Sequence, residues 1–477
     1  MSQSIKKNIA YNTIYQIFTI LTPFITAPYV SRVIGAKGVG IYSYTSSYMI
    51  FFMLFAALGT GSYGAREIAR NRDNKLLMSQ TFWEIECMTI LTSTLCLIVW
   101  EIFVLFNKSY QIYFFALSPC FIATALDITW FFNGLELFKK LIIRNVIIKI
   151  IGIALLFALI RTPNDLELYI WIQSITGIVS SLAMWLYIPS LVEKIPIKSL
   201  KLRKHLKETW IYFVPTISTS IYTVLDKTLI GLITNDTYQN GYYEQASKII
   251  GMVKSIVFSA VNTVVGMRVS YLFAKKKYNE IKKRIIDAFD YIMMIGVGCV
   301  FGMIAVIDEF VPVFFGDGYE PVSFMIKVMS PIIIIIGISN CLGSLYYSPS
   351  GRRAQSAKYI IIGSITNLIM NLCMIPMFGA NGAIVSSLTA ELIITILYIT
   401  NSGEYFKTIY LVKYSYKRVI AGGLMVIGVR VVSKHMLDND FVKLLVEIFV
   451  GIMIYGICLL VMKDKLFYRL ISIFKKR

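Results

Sequence analysis

Charge is scarce in this chain. Only 16% of its 477 residues are Asp, Glu, Lys or Arg, and 57% are hydrophobic. A soluble domain carries about 25% charged and about 45–50% apolar residues, so an ordinary water-soluble globule is excluded. Histidine is rarer still: His205 and His435 stand alone, each expected in a connection or at a span end. The seven cysteines fall in apolar runs and form neither a CxxC motif nor a Cys/His cluster. They read as small apolar packing residues rather than as metal ligands. The phosphate loop, HExxH and GxSxG are missing, and no carboxylate pair occupies a polar loop. No enzyme motif is present, and uphill transport by this chain alone would need an ion gradient or membrane potential.

What the chain has in quantity is long apolar runs. A bilayer-spanning helix needs roughly 20 mostly apolar residues, and continuous runs of that length exclude the alternating pattern of a membrane barrel. The sequence predicts an all-α polytopic membrane protein of about 14 spans: 9–34, 40–62, 83–106, 110–133, 142–160, 167–190, 210–233, 241–267, 285–307, 322–347, 357–377, 380–401, 413–433 and 441–462. The first run is too long for the apolar segment of a signal peptide and reads as a retained span. With the N-terminus inside, 35 of the 47 Lys and Arg lie in or beside the inside connections, 4 in the outside loops and 8 within spans. That is the positive-inside pattern, and it puts both termini in the cytoplasm. The net charge of +20 is then a consequence of topology and of anionic lipid head groups, with no nucleic-acid partner. The longest outside loop, near 308–322, leaves no room for an external catalytic domain, which argues against a membrane glycosyltransferase or polymerase.

A repeat divides the chain. Around span one it reads IYQIFTILTPF and then SRVIGAKGVGIYSY; around span seven it reads IYFVPTIST and then LDKTLIGLITNDTYQNGYYEQA. Each copy has Tyr and Pro early, charge late, then Ile-Gly and a Gly-x-Tyr opening the next helix. Both copies run from inside to outside, as in a parallel repeat. Residues 1–190 are expected as an N-lobe of six spans and 191–209 as a basic cytoplasmic linker. Residues 210–401 follow as a C-lobe of six spans, and 402–477 as two extra spans with a basic tail. Gly35, Gly38 and Gly40 are expected to turn the chain after span one, and Pro23 and Pro28 to kink it.

Charges inside spans carry the functional information, since each costs about 2.5–3.5 kcal/mol at a helix centre on insertion scales. Span eight places Glu244, Lys248, Gly251, Ser255, Ser259, Asn262 and Gly266 on one narrow stripe, facing either a cavity or a closely packed helix. Lys254 lies off that stripe. Asp226 and Lys227, adjacent in span seven, point about 100° apart and need separate partners; an Asp226–Lys248 pair is one option. Arg32, late in span one, either snorkels to the outer head groups or binds a phosphate or pyrophosphate through its guanidinium fork. Asp127 and Lys149 read as cavity residues or as a structural pairing of Asp127 with Lys149 or Arg144. Glu391, central in span twelve, is a candidate for proton or sodium coupling or for a buried hydrogen bond. Asn367 and Asn371 read as interhelical glue, and Lys327, Arg430 and Lys443 as snorkelling span-end cations.

The phrases SRVIGAKGVGIYSY, DITWFFNGLELFKK, LDKTLIGLI with GYYEQASKI, VPVFFGDGY and SGRRAQSAKYIIIGSITNLIMNLCMIPMFGANGAIVSSLTAEL occur in an order and spacing that resemble the polysaccharide transport family of the multidrug/oligosaccharidyl-lipid/polysaccharide exporter superfamily. The resemblance is to Wzx-type lipid-linked oligosaccharide (O-antigen) flippases and covers essentially the whole chain. One departure is Met267–Arg268, where Pro-Arg is expected in relatives. The resemblance implies two six-helix lobes around a central cavity plus two C-terminal helices, working by alternating access. It implies an undecaprenyl-pyrophosphate-linked repeat unit as substrate, the bacterial inner membrane as location, and polymerase and chain-length proteins as partners. Carried onto this sequence, it marks Arg32, Lys227 and Lys248 as pyrophosphate or sugar ligands and Asp226 and Glu391 as coupling or gating groups. Arg268, Asn262, Asp127, Lys149 and Lys254 are further cavity or structural candidates. No cofactor or metal is implied. A cation-coupled multidrug exporter of the same superfamily is the competing reading, and the cationic set argues against it.

Overall fold

The computed structural model describes residues 5–435 and 439–475; within its helices, the side chains of 259–268 and some others, including 214–216, 218–219 and 221–223, are not described. The described residues are helical throughout, with no strand. They divide into two compact units, Met1–Gly241 and Tyr242–Arg477. Unit 1 contains α1 (Ile5–Ala57), α2 (Thr60–Asn71), α3 (Lys75–Phe106), α4 (Gln111–Leu117), α5 (Pro119–Ala125), α6 (Thr129–Gly134), α7 (Phe138–Leu159), α8 (Leu166–Trp185), α9 (Ile188–Leu191) and α10 (Leu202–Thr234). The unit boundary falls early in α11 (Thr237–Ala274). Unit 2 continues with α12 (Tyr278–Phe315), α13 (Glu320–Met329), α14 (Ile332–Leu342), α15 (Arg353–Phe378), α16 (Ala380–Thr400), α17 (Ile409–Ser433), α18 (Asp440–Val461) and α19 (Lys465–Lys475).

Ten helical segments among the described residues are long and apolar enough to cross a bilayer. Their outer surface is oily: Ile147, Ile150 and Ile151 on α7, Ile365, Ile369 and Leu372 on α15, and Phe449 and Ile452 on α18 are all exposed. Exposed isoleucine rows are unfavourable in water and natural against lipid, where each helix satisfies its own backbone. The protein is a multi-pass all-α membrane protein.

The first two expected spans form one element. α1 runs through residues 35–39, where a loop was expected, and leaves helical geometry at Gly35 (φ 74°, ψ 169°). Pro23 and Pro28 stay inside the helix without such a break. Only Gly35 of the three glycines is a turn residue. Gly40 serves approach instead: a Cβ there would lie 1.7 Å from the Thr237 carbonyl oxygen, and one on Gly241 would lie 2.1 Å from that of Ala36. A glycine pair lets two backbones meet where any side chain would hold them apart. Span four is likewise segmented, into α4, α5 and α6. Pro119 opens α5, where its missing N–H costs nothing, and Asp127 accepts from the Thr129 amide to start α6 (2.9 Å). α10 begins at Leu202, inside the stretch expected as linker.

Unit 1 packs around aromatic clusters. Trp100 meets Phe52, Phe114 and Phe121, and Phe82 meets Trp130, Phe131 and Trp185. In unit 2, α12 packs on α13, α14, α17 and α18. Arg418 of α17, 2% exposed, anchors this unit. Its Nε and Nη2 donate to Asp464 at 3.0 and 3.1 Å, its Nη2 lies 2.6 Å from Asp290 Oδ1, and its Nη1 donates to the Asp290 carbonyl at 2.7 Å. Asp464 also accepts from the Leu466 and Phe467 amides, both at 3.1 Å, so one carboxylate caps α19 and neutralises Arg418. Lys327 and Lys443, read as snorkelling from the sequence, pair with two carboxylates near the end of α12, which continues through the start of the expected outside loop: Lys327 Nζ is 2.5 Å from Asp308 and Lys443 Nζ is 2.9 Å from Glu309.

Candidate functional site

The polar residues of the spans fall into three groups. The first lies in unit 1, where α1 crosses α10. Ser47 and Thr228 share a buried hydrogen bond of 2.7 Å, and Asn240 Nδ2 donates to the Lys227 carbonyl at 2.6 Å. Tyr44 lies against Gly231, where a Cβ would come within 2.2 Å of its ring. This crossing holds Asp226, 1% exposed, beside half-buried Lys227. Arg32 is exposed, on the α1 turn just before the Gly35 break.

The second group is a cavity of about 330 Å³ in the same unit, lined by α1, α7 and α8. Each helix contributes polar residues about one turn apart: Thr22 and Thr26 from α1, Asn145 and Lys149 from α7, and Gln173, Thr176 and Ser180 from α8. Such spacing puts them on one face. Arg144 braces the wall, donating from Nε to Asn145 Oδ1 at 3.0 Å and from Nη1 to the Ser180 carbonyl at 3.0 Å. The expected Asp127–Lys149 ion pair is not formed. Asp127 is exposed and engaged with the amide and hydroxyl of Thr129. A carboxylate that starts its own helix is no longer free to reach across to α7.

The third group lies in unit 2. On α11, Lys248 Nζ lies 3.4 Å from Glu244 Oε1, one turn away. Asp226 belongs to unit 1 and Lys248 to unit 2. At Gly251 a Cβ would meet nothing within 4 Å, and Ser255 is exposed, so this part of the stripe is not a close-packing surface. Lys254, off the stripe, lies within electrostatic reach of the Glu391 carboxylate on α16, which is 3% exposed. Beside Glu391, Asn367 donates across to Ser387 of α16 at 3.2 Å, the interhelical glue expected of it, and Asn371 donates to Asn367 one turn away on α15 at 3.1 Å. The side chains of Asn262 and Arg268 lie outside the described residues.

Sequence reasoning missed a hydrogen-bonded chain at the start of α10. His205 is not isolated. Its Nε2 lies 2.7 Å from Glu84 Oε2 and its Nδ1 2.7 Å from the Tyr63 hydroxyl. All three residues are buried, and Glu84 also accepts from the Lys201 amide (2.9 Å) and from Gln80 (3.0 Å). Two residues along α3, Glu86 is 0% exposed, and neither of its oxygens has a hydrogen-bond partner among the described residues. Two carboxylates at the mouth of an apolar helix were the available signal. Among the described residues no cluster of three or more His, Cys, Asp or Glu could hold a metal.

These features define a class: a polytopic helical membrane protein whose polar chemistry is held inside its spans. The chain belongs to the family described as polysaccharide biosynthesis protein, whose sequence pattern matches residues 5–266, more than half of the 477. A protein named "Putative O-antigen transporter" from Escherichia coli (strain K12) is 21% identical over 407 residues, 83% of this chain and 95% of its own. One of the same name from Shigella dysenteriae is 25% identical over 396 residues, 82% of this chain and 98% of its own. The fold matches that of the lipid II flippase MurJ in an inward closed conformation, with a TM-score of 0.73 over 98% of this chain and 99% of that one at 16% identity. An inward-facing multidrug transporter of the MATE family matches less well, with a TM-score of 0.56 over 83% of this chain and 98% of that one at 11% identity.

Proposed function

We propose that this chain is a flippase that moves an undecaprenyl-pyrophosphate-linked oligosaccharide repeat unit across the bacterial cytoplasmic membrane, by alternating access, for O-antigen, capsule or exopolysaccharide assembly. The observation that carries the reading is the near full-length alignment with the two O-antigen transporters, 95% and 98% of their lengths. The cations within the spans support it. Arg32, Lys227 and Lys248 would hold the pyrophosphate and sugars, because ammonium and guanidinium donors match phosphate oxygens. Asp226 and Glu391 would couple or gate movement, with Lys254 answering Glu391, and the energy would come from a proton or sodium gradient. The lipid tail stays in the bilayer while the head group crosses. A polymerase and a chain-length protein would receive the product. The fourteen-span, two-lobe arrangement with both termini cytoplasmic is part of this proposal.

The test is complementation of a strain lacking its own flippase, with surface polysaccharide as readout. Wild type restores polymer. Arg32→Glu abolishes it while still inserting, and normal polymer from that variant removes Arg32 from the mechanism. The MATE-type fold match favours one competitor, an ion-coupled multidrug exporter. That reading predicts resistance to cationic drugs on expression, which a susceptibility panel measures.

A further inference from the structure

The α1–α7–α8 cavity has a donor and acceptor pattern of its own. Thr22, Thr26 and Thr176 spend their hydroxyl hydrogens on carbonyls of their own helices, those of Phe18 (2.8 Å), Thr22 (3.1 Å) and Ile172 (2.7 Å). A hydroxyl whose hydrogen is committed offers only lone pairs to the cavity, so these threonines act as acceptors. Lys149 supplies the opposite. It is half-buried in an apolar helix, its ammonium carries three N–H donors, and no hydrogen bond or ion pair involves it among the described residues. The nearby guanidinium of Arg144 is turned to Asn145 and Ser180. Among the twelve lining residues there is no carboxylate. One cation, two amides (Asn145 and Gln173) and a set of hydroxyl acceptors therefore line a space at the small end of ligand pockets, which run from about 300 to 1,000 Å³.

A lone anion would use Lys149 and leave the threonines idle, and a neutral sugar would leave the ammonium without a counter-charge. A group bearing both an anionic oxygen and several hydroxyls satisfies the whole set. We infer that this cavity is a subsite for a single hydroxylated anion, a sugar carrying a carboxylate or phosphate, with Lys149 binding the anionic oxygens and Thr22 and Thr26 accepting from the hydroxyls. Arg32 is not among the lining residues, so the subsite is separate from the proposed Arg32 pyrophosphate contact. The inference rests on the flippase reading for why a sugar should reach this depth, and it makes the subsite a reader of one acidic or phosphorylated sugar in the cargo.

The test is direct binding to the purified full-length protein in nanodiscs, measured by calorimetry or ligand-dependent thermal shift. The probes are glucuronate, glucose 1-phosphate, glycerol 3-phosphate, inorganic phosphate and glucose. Glucuronate or glucose 1-phosphate is expected to bind at least tenfold more tightly than glucose. Lys149→Gln loses at least tenfold of that affinity, and Lys149→Arg keeps most of it. Thr26→Val weakens the sugar anion severalfold and leaves inorganic phosphate unchanged. Equal binding by wild type and Lys149→Gln overturns the inference. So does glycerol 3-phosphate binding as tightly as the sugar anions, since that marks a lipid head-group site. A protein that complements the flippase-deficient strain but binds no sugar anion overturns this subsite and leaves the flippase reading intact. Sugar-anion binding without complementation does the reverse.

Discussion

Each unit fastens a connecting segment to its bundle with a buried polar triad. In unit 1, Tyr63, His205 and Glu84 tie the start of α10 to α2 and α3. In unit 2, Asp290, Arg418 and Asp464 tie α17 and the start of α19 to α12. His205 and Arg418 are each 2% exposed, yet the two triads answer burial differently. A guanidinium cannot shed its charge in a protein, so Arg418 must be surrounded by carboxylate and carbonyl oxygens whenever the unit is folded. An imidazole can donate to Glu84 from Nε2 and accept from the Tyr63 hydroxyl at Nδ1 while neutral, so its chain survives as ordinary hydrogen bonds. The unit 2 anchor is a fixed electrostatic commitment, and the unit 1 anchor is a softer one.

The sharpest way to break that contrast is Arg418→Ala. Removing one partner of a buried ion network strands the other charges, at a cost of about 3–5 kcal/mol. The expected outcome is loss of the monodisperse peak on size-exclusion chromatography and a large fall in melting temperature. Arg418→Met combined with Asp290→Asn and Asp464→Asn should recover much of the loss, because an asparagine amide oxygen in place of the Asp464 carboxylate can still cap α19. The corresponding cut in unit 1 should be milder. Glu84→Gln keeps the shape but weakens charge-assisted hydrogen bonds worth about 1.5–3 kcal/mol, and Tyr63→Phe removes one neutral bond worth about 1 kcal/mol. Thermal unfolding of the solubilised protein should rank the variants Arg418→Ala, Glu84→Gln, Tyr63→Phe. If Tyr63→Phe destabilises as much as Arg418→Ala, the distinction between the two anchors fails.

Periodic information in the sequence carried over best. Long apolar runs foretold the helices, and the four-residue spacing of Asn367 and Asn371 foretold glue between α15 and α16. Glycine was legible as important but not in its role, since Gly35 breaks the helix whereas Gly40 lets backbones touch. Which of the two a glycine does depends on a neighbour, Thr237, far away in sequence. Partner choice was hidden for the same reason. Lys254 lies off the α11 stripe, and its reach to Glu391 depends on α16, far away in sequence. Lys149 lines a cavity without Asp127, which starts α6 instead. His205 looked solitary because Glu84 and Tyr63 approach from two other helices.

Translocation of a lipid-linked oligosaccharide is the activity proposed for this protein. Its most direct measurement is flipping of a short-chain, lipid-pyrophosphate-linked oligosaccharide in proteoliposomes, read by protection of the sugar from an external lectin or glycosidase. Accessible sugar is expected to be lost faster than in protein-free liposomes, with a return to the protein-free rate for Arg32→Glu. A folded, reconstituted wild-type protein that moves the lipid no faster than empty liposomes, with and without an imposed proton or sodium gradient, would contradict it.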